Sequence, residues 1–245
     1  CSLSETDTRV LLEYDLTAEY LALGLEEVLN YEKFCMISIV WHSTKIEGCS
    51  LSETDTRVLL EYDLTAAGKP LRDHLMVKDH FTAFEWVQQQ ARAKTPISLP
   101  FLQQLGENRE WRLVQVYVDK KYFPNYQKVP ALLERLCADL NGGLVRARSS
   151  SEVLRLAADA HFHFVNIHPF ADGNGRASRL LLNYVQLYHR QPLVKIFTED
   201  RTQYLDALNA AEEQDDLDIF RDFVCAQQIK FLSAEIEKYE RMNRG

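Results

Sequence analysis

Apolar residues recur at spacings of three and four along most of this chain, which is the period of an amphipathic helix. Residues 19–47 carry this pattern with no proline and a single glycine. They predict one long helix, or two helices with a break near Gly24. Gly48 supplies a stop for this segment, and Ser50 to Ser52 precede a second helical pattern. Residues 75–93 predict a further helix, so helices dominate the first hundred residues.

The pattern changes to a period of two at one place only. Val114, Val116 and Val118 alternate with polar or amphipathic residues, and a polar turn at residues 119–121 follows them. This alternation is typical of a strand that leads into a hairpin. We expect one β-hairpin near residues 112–123.

Helical patterns return after the hairpin and continue to the end of the chain. Ser149 and Glu152 have the spacing of a capping box ahead of an apolar run. Pro169 disfavours a helical conformation at His168, so that helix should end just before the histidine. Three more helices are predicted near residues 176–190, 199–213 and 216–240. The sequence therefore predicts a mostly all-α fold.

An identical segment of 18 residues occurs twice, at residues 1–18 and at residues 49–66. Solenoid repeats run at a regular period through many copies, which is not the case here. The first copy is therefore a recent duplication or an artefact, and we treat it as a non-functional extension. The remaining chain divides into an N-terminal helical region at 19–68 and a main domain at 69–245.

Composition narrows the class of protein. With 28 Lys and Arg against 36 Asp and Glu, the formal charge is -8, so the overall field repels nucleic acid. No apolar run of about 18 residues predicts a membrane span, and no signal-peptide pattern is found, so we expect a cytoplasmic protein. Five cysteines without CxxC spacing favour reduced thiols over a zinc cluster or a disulfide framework.

The densest group of chemically useful residues is HPFADGNGRASR at residues 168–179. Backbone N–H groups in the first turn of a helix lack intrahelical partners, so Gly173 to Gly175 would let an anion approach closely. Arg176 and Arg179 lie three apart on the following helix and hence on one side of it. Their guanidinium groups are suited to phosphate oxygens, which indicates a di- or triphosphate ligand.

Two further groups in this segment indicate what happens to the phosphate. Asp172 offers a hard oxygen ligand for a Mg²⁺ ion that keeps several waters and bridges substrate phosphates. His168 accepts a proton near neutral pH and is the candidate general base. Together they predict proton transfer at a bound di- or triphosphate.

HPFADGNGR resembles the core motif HPFx(D/E)GNGR of the Fic family, and Arg179 matches the additional arginine of its extended form. The resemblance implies a Fic-type helical bundle in which the hairpin near 112–123 is the flap. It also implies transfer of AMP from ATP, with Mg²⁺, to a Ser, Thr or Tyr hydroxyl of a protein. The chain itself is among the implied targets.

The resemblance assigns a role to each motif residue. His168 would deprotonate the target hydroxyl, and Asp172 would hold Mg²⁺. Phe170 would anchor the loop, and Gly173, Asn174 and Gly175 would contact the phosphates. Arg176 would contact the β-phosphate, and Arg179 would contact the γ-phosphate. Val118 and either Tyr204 or Leu205 would border the adenine.

A second motif lies upstream, where Ser43 to Gly48 read STKIEG. It resembles the inhibitory motif (S/T)xxxE(G/N) of the family's class II, with Ser43, Glu47 and Gly48 at its defined positions. Ser43 and Glu47 are four apart and share one helix face. A carboxylate there could pair with Arg179 in place of the γ-phosphate, so the resemblance implies autoinhibition by Glu47.

Other functions stay open at this point. The same pocket could transfer another nucleotide, or Glu47 could position a water that removes AMP from a modified protein. From a different class, the chain could be a catalytically silent nucleotide-binding interaction module. A homodimer is an expectation of the family only.

Overall fold

The structure is a computed structural model that describes residues 5–25, 30–106, 109–118 and 121–244, with the side chains at 5–8, 10, 11, 14 and 118 left out of that description. The helices are α1 Glu5–Ala22, α2 Tyr31–Ile46, α3 Glu53–Tyr62, α4 Leu71–Arg92, α5 Leu99–Gln104, α6 Val129–Arg146, α7 Ser150–Ile167, α8 Asn174–Tyr188, α9 Arg201–Glu213 and α10 Leu217–Asn243. Two short strands, β1 Tyr117–Val118 and β2 Lys121–Tyr122, and two 3₁₀ turns at 126–128 and 198–200 complete them. Among these described helices, none is long and apolar enough to cross a membrane.

The predicted break near Gly24 is confirmed. α1 ends at Ala22, Gly24 has a φ of 62°, and α2 begins at Tyr31. α2 ends at Ile46, and Gly48 follows with a φ of 90°, a left-handed conformation that favours glycine. Residues 5–18 of the first copy lie within α1, which packs against α10.

Both predicted helix starts have a capping box. Ser52 and Asp55 form one at α3, and Ser149 and Glu152 form the other at α7. α7 ends at Ile167, directly before His168, as Pro169 predicted. His168 is left-handed, with φ 53° and ψ 60°, and not extended.

α7 and α8 pack against each other at the centre of the molecule, with α4 against α8 and with α6 and α10 against α7. The core between them is aromatic and aliphatic. Its fully buried side chains include Phe84, Leu133, Phe164, Leu181, Tyr184 and Phe220. This packing fixes the loop that joins α7 to α8, and that loop carries the motif HPFADGNGR.

The hairpin is shorter than the alternation of residues predicted. β1 and β2 are antiparallel, with Tyr117 opposite Tyr122. The Phe123 N–H donates to the Val116 carbonyl at 3.4 Å, and side chains bind further carbonyls next to the strands: Arg112 binds that of Val114, and Gln115 donates to those of Val116 and Phe123. The turn residues Asp119 and Lys120 lie outside the described residues.

Candidate active site

The loop between α7 and α8 is held by Asn174 and Phe170. The Asn174 carboxamide accepts from the Phe170 N–H and donates to the Phe170 carbonyl, both at 2.9 Å. The Phe170 ring is buried and stacks on Trp111, with ring centroids 5.1 Å apart. A Cβ at Gly106 would lie 2.5 Å from the Phe170 ring, so only glycine fits there. In this structure the Asn174 side chain therefore contacts the loop itself.

His168 is held in a half-buried position at the start of this loop. Its ring stacks on Phe123, with centroids 3.8 Å apart, and its Nδ1 lies 3.3 Å from the Val165 carbonyl oxygen. Burial lowers the pKa of His168 to about 4, the Val165 carbonyl opposes this shift, and the charges of Arg112 and Lys121 add to it. The imidazole is therefore neutral at pH 7 and able to accept a proton.

Arg112 ties the flap to the catalytic loop, and the sequence analysis missed it. Its Nε donates to the His168 carbonyl at 2.7 Å and its backbone N–H to the Pro169 carbonyl at 2.8 Å. Its other nitrogens donate to the carbonyls of Val114 and Pro124. One signal was present: Arg112 is in register with Val114, so it puts a charge on the face predicted to be apolar.

Asp172 and Gly173 form the entrance to α8. Gly173 has a φ of 80°, and Asp172 Oδ1 accepts its N–H at 2.6 Å. The Asp172 side chain is 87% exposed, and its Oδ2 lies 3.8 Å from Arg176 Nη2. No group of three or more potential metal ligands occurs in the part of the chain that the structure describes. An exposed carboxylate of this kind fits a Mg²⁺ held by one protein oxygen, with phosphates and waters as the other ligands.

Arg179 is buried, and α2 supplies most of its partners. Its Nε donates to Ser43 Oγ at 2.8 Å, and its Nη2 donates to the Ser43 carbonyl at 3.0 Å and to Glu47 Oε1 at 2.6 Å. Its Nη1 donates to the Tyr204 hydroxyl at 3.3 Å. The two residues of the upstream motif are thus brought to the arginine, which lies 132 positions from Glu47 along the chain.

The Glu47 carboxylate lies directly over the first turn of α8. A Cβ at Gly175 would be 2.5 Å from Glu47 Oε1 and 3.1 Å from Arg179 Nη1. Burial raises the pKa of Glu47, but Arg179, with Arg176 and Arg201, outweighs burial and holds that pKa below its ordinary value. An anionic oxygen therefore already lies where the helix N-terminus and an arginine meet.

Two contacts fix α2 in this position. The Arg201 Nε donates to the Ile46 carbonyl at 2.8 Å, and the Thr198 N–H donates to His42 Nδ1 at 3.0 Å. Thr198 lies just before α9 and Arg201 is its first residue, and α9 also carries Tyr204. Gly48, with a φ of 90°, follows Glu47 directly.

Arg176 lines a cavity of about 210 Å³ beside the glycine loop. Gly173, His80, Trp86 and Arg109 are among the other lining residues. Burial lowers the pKa of Arg176, Glu47 opposes this, and Arg179 adds to it. Arg176 and Arg179 thus bring two buried positive charges to the N-terminal turn of α8.

The residues expected along the adenine are in different environments. Tyr204 is 2% exposed, and its hydroxyl contacts Arg179 and His161. Leu205 is 36% exposed. Val118 lies in β1, but its side chain is outside the described residues.

Comparisons with known proteins agree with this arrangement. Residues 85–186 match the model of the Fic/DOC family. Protein adenylyltransferase Fic of Drosophila grimshawi is 32% identical over 186 residues, which cover 72% of this chain and 38% of that protein. That of Culex quinquefasciatus is 32% identical over 197 residues, which cover 75% of this chain and 38% of that protein. The chain thus spans less than half the length of the curated relatives it matches.

Solved structures share the fold. Fic-1 from C. elegans has a TM-score of 0.81 at 25% identity, with 97% of this chain and 73% of that chain covered. A Fic domain containing signaling protein from Bacteroides thetaiotaomicron has a TM-score of 0.82 at 22% identity, with 92% and 97% covered. The prediction of a mostly all-α, Fic-type bundle is confirmed.

Proposed function

Since this chain belongs to the Fic/DOC family, we propose that it is a protein adenylyltransferase that transfers AMP from ATP to a protein hydroxyl and is restrained by Glu47. One observation carries the proposal. A single loop between α7 and α8 joins a neutral histidine, His168, to a helix N-terminus flanked by two buried arginines, Arg176 and Arg179. A base beside a polyphosphate site is what nucleotidyl transfer to a hydroxyl needs.

His168 serves as the proton acceptor. When its Nδ1–H points to the Val165 carbonyl, its Nε2 is left to accept the proton of the target hydroxyl. The hydroxyl oxygen then forms a bond to the α-phosphorus of ATP, and the bond from that phosphorus to the bridging oxygen breaks. Pyrophosphate leaves with the bond's electrons, and AMP remains on the protein.

The first turn of α8 holds the phosphates. N–H groups at a helix N-terminus have no intrahelical partners, and together with the positive end of the helix dipole they attract the anion. Arg176 and Arg179 neutralise the charge on the leaving group. Asp172 would hold a Mg²⁺ ion, which supplies further charge neutralisation when bound. Phe170 and Asn174 keep the loop in shape for these contacts.

Glu47 restrains the reaction by taking the place of a phosphate. Its carboxylate pairs with Arg179 at 2.6 Å and lies against Gly175, so it and a γ-phosphate would compete for the same cation. Ser43 supports the pair through two further bonds to Arg179. Mg²⁺ dependence, automodification, a homodimer and a cytoplasmic location stay predictions from the sequence and the family resemblance.

Labelling with ATP that carries the label on its α-phosphate tests the function. The Glu47→Gly variant should label itself or added proteins more than the parent does, and Glu47→Gly with His168→Ala should not label at all. GTP, UTP and CTP in parallel reveal a different nucleotide preference. A folded Glu47→Gly protein that labels nothing in a complete cell lysate would contradict adenylyl transfer, and labelling equal to the parent's would contradict the restraint.

A further inference from the structure

The partners of Arg179 come from two different parts of the chain. Ser43 lies on α2 and Glu47 directly follows it, whereas Tyr204 lies on α9. When the Glu47 carboxylate leaves, Tyr204 still holds Arg179 Nη1 from the side of the main domain. Among the described residues, Tyr204 is thus the contact of Arg179 that is independent of the inhibitory helix.

The Tyr204 ring cannot readily reorient. It is 2% exposed and packs against Phe220 and Phe223, with centroids 6.3 and 5.8 Å away. Its hydroxyl oxygen lies 2.9 Å from His161 Nε2. His161 is itself fully buried, and burial first, then Arg179, keeps the pKa of this imidazole well below its ordinary value. A neutral imidazole therefore fixes the tyrosine hydroxyl.

The hydrogen bonds of Ser178 assign the tautomer of His161. The Ser178 hydroxyl donates to the Gly175 carbonyl at 2.8 Å, so its oxygen is left to accept from His161 Nε2, 3.1 Å away. His161 Nδ1 is buried without a partner, which costs less for a bare acceptor than for an N–H. We therefore assign the proton to Nε2, where it is shared between the oxygens of Ser178 and Tyr204.

This assignment leaves the Tyr204 proton available. The Tyr204 oxygen accepts from Arg179 Nη1 and from His161 Nε2, which uses both lone pairs. Its own O–H then has the Ser178 hydroxyl as a neighbouring acceptor, and a phosphate oxygen beside Arg179 would be a charged and therefore stronger one. The Tyr204 oxygen lies 3.3 Å from Arg179 Nη1, which is 3.1 Å from the place of a Cβ at Gly175, where the Glu47 oxygen is also found.

We propose that Tyr204, oriented by His161, donates a hydrogen bond to the γ-phosphate of ATP and so selects nucleoside triphosphates over diphosphates. This inference rests on the proposed function, because it needs ATP as the donor and Arg179 as its γ-phosphate contact. It replaces the expectation that Tyr204 borders the adenine. It assigns to the buried pair His161 and Tyr204 a role in substrate selection.

Binding of ATP and ADP tests the inference without turnover. The background is Glu47→Gly with His168→Ala, and affinities are measured by titration calorimetry with Mg²⁺. Tyr204→Phe should raise the Kd for ATP by about tenfold or more, because a hydrogen bond to a charged group is lost, and leave the Kd for ADP unchanged. Tyr184→Phe is the matched control, since it removes another buried hydroxyl, bound to the Thr95 carbonyl, and should change neither Kd.

The remaining outcomes are decisive as well. An equal loss of ATP and ADP affinity would show an adenine contact and overturn the inference, as would no change for either nucleotide. His161→Leu should copy the Tyr204→Phe result, and His161→Gln, which keeps an N–H donor, should restore part of the ATP affinity. If the Glu47→Gly, His168→Ala protein binds neither ATP nor ADP, the proposed function itself fails. If that protein binds both nucleotides and Tyr204→Phe changes their Kd values equally or not at all, only the inference about Tyr204 fails.

Discussion

Removal of the Glu47 carboxylate should destabilise the free protein and at the same time increase the stabilisation that ATP provides. In the free protein, Glu47 Oε1 accepts from Arg179 at 2.6 Å and supplies the negative charge beside a buried guanidinium. At pH 7.5 this carboxyl is ionised, because its pKa lies below the ordinary value. The Glu47→Ala variant therefore loses one charged hydrogen bond and leaves Arg179 with Ser43 and Tyr204.

A hydrogen bond to a charged group contributes about 1.5–3 kcal/mol to the free energy of unfolding. The Glu47 side chain is 33% exposed, and solvent screening favours the lower half of that range. For a domain of this size each kcal/mol shifts the melting temperature by about 2–4 °C, so a fall of roughly 3–9 °C is expected. For a variant that binds ATP without competition from Glu47, ATP at about 100 times its Kd raises the free energy of unfolding by about 2.7 kcal/mol.

Thermal unfolding of the parent, Glu47→Ala and Glu61→Ala, each with and without nucleotide, measures both effects. Glu61 is an exposed carboxylate on α3, so Glu61→Ala should behave as the parent. The ATP-induced shift should be larger in Glu47→Ala than in the parent, whereas the ADP-induced shift should be the same in both. Equal ATP-induced shifts would refute the reasoning, because Glu47 and the γ-phosphate would then not share a site.

Three more measurements follow from the same geometry. In the Glu47→Gly background, labelling should stay constant from pH 8 to pH 6 and fall only as pH approaches the His168 pKa of about 4, because protonated imidazole cannot accept a proton. Phe123→Ala exposes the imidazole, so it should raise that pKa and move the fall to higher pH. A fall centred near pH 6.5 in the protein with Phe123 intact would contradict the assigned environment. Arg112→Lys should lower the labelling rate at saturating ATP by about 100-fold with little change in nucleotide Kd, because its fork no longer positions His168; a changed Kd with an unchanged rate would argue against this. Gly175→Ala should reduce the melting temperature in the parent more than in Glu47→Gly, since its Cβ would meet the Glu47 oxygen, and equal reductions would exclude that clash.

Much of the fold and part of the site could be predicted from local signals. Capping boxes at Ser52 and Ser149, the glycine at 48 and the proline at 169 mark helix ends through groups within a few residues of each other. The motif from His168 to Arg179 is likewise continuous, so its chemistry could be worked out before its shape. Local signals suffice here because each depends on backbone groups of the same turn.

Contacts between distant segments could not be predicted in the same way. Arg112 binds the carbonyl of His168 across 56 positions, and the contact involves backbone atoms that no residue type announces. The role of Tyr204 similarly depends on His161 and Arg179, which lie on other helices. The tautomer of His161 depends in turn on Ser178. These assignments need the packing of α7, α8 and α9.

The repeated segment separates the two sources of information most clearly. Identical residues have the same local helix propensity from sequence alone, and residues 5–18 of the first copy and 53–62 of the second are helical. In the first copy the helix continues to Ala22, Glu13 is 2% exposed, and Thr17 donates to it at 2.7 Å. In the second copy the helix ends at Tyr62, and the equivalent Glu61 and Thr65 are exposed.

Only the surroundings distinguish the two copies. α1 lies along α10, which covers its inner face, and the helix formers that follow Ala18 let it continue. In the second copy Asp63 is left-handed and pairs with Lys78 on α4, and Gly68 and Pro70 turn the chain into that helix. Identical residues have identical local propensities, so packing against different neighbours decides which copy remains helical and which side chains are buried.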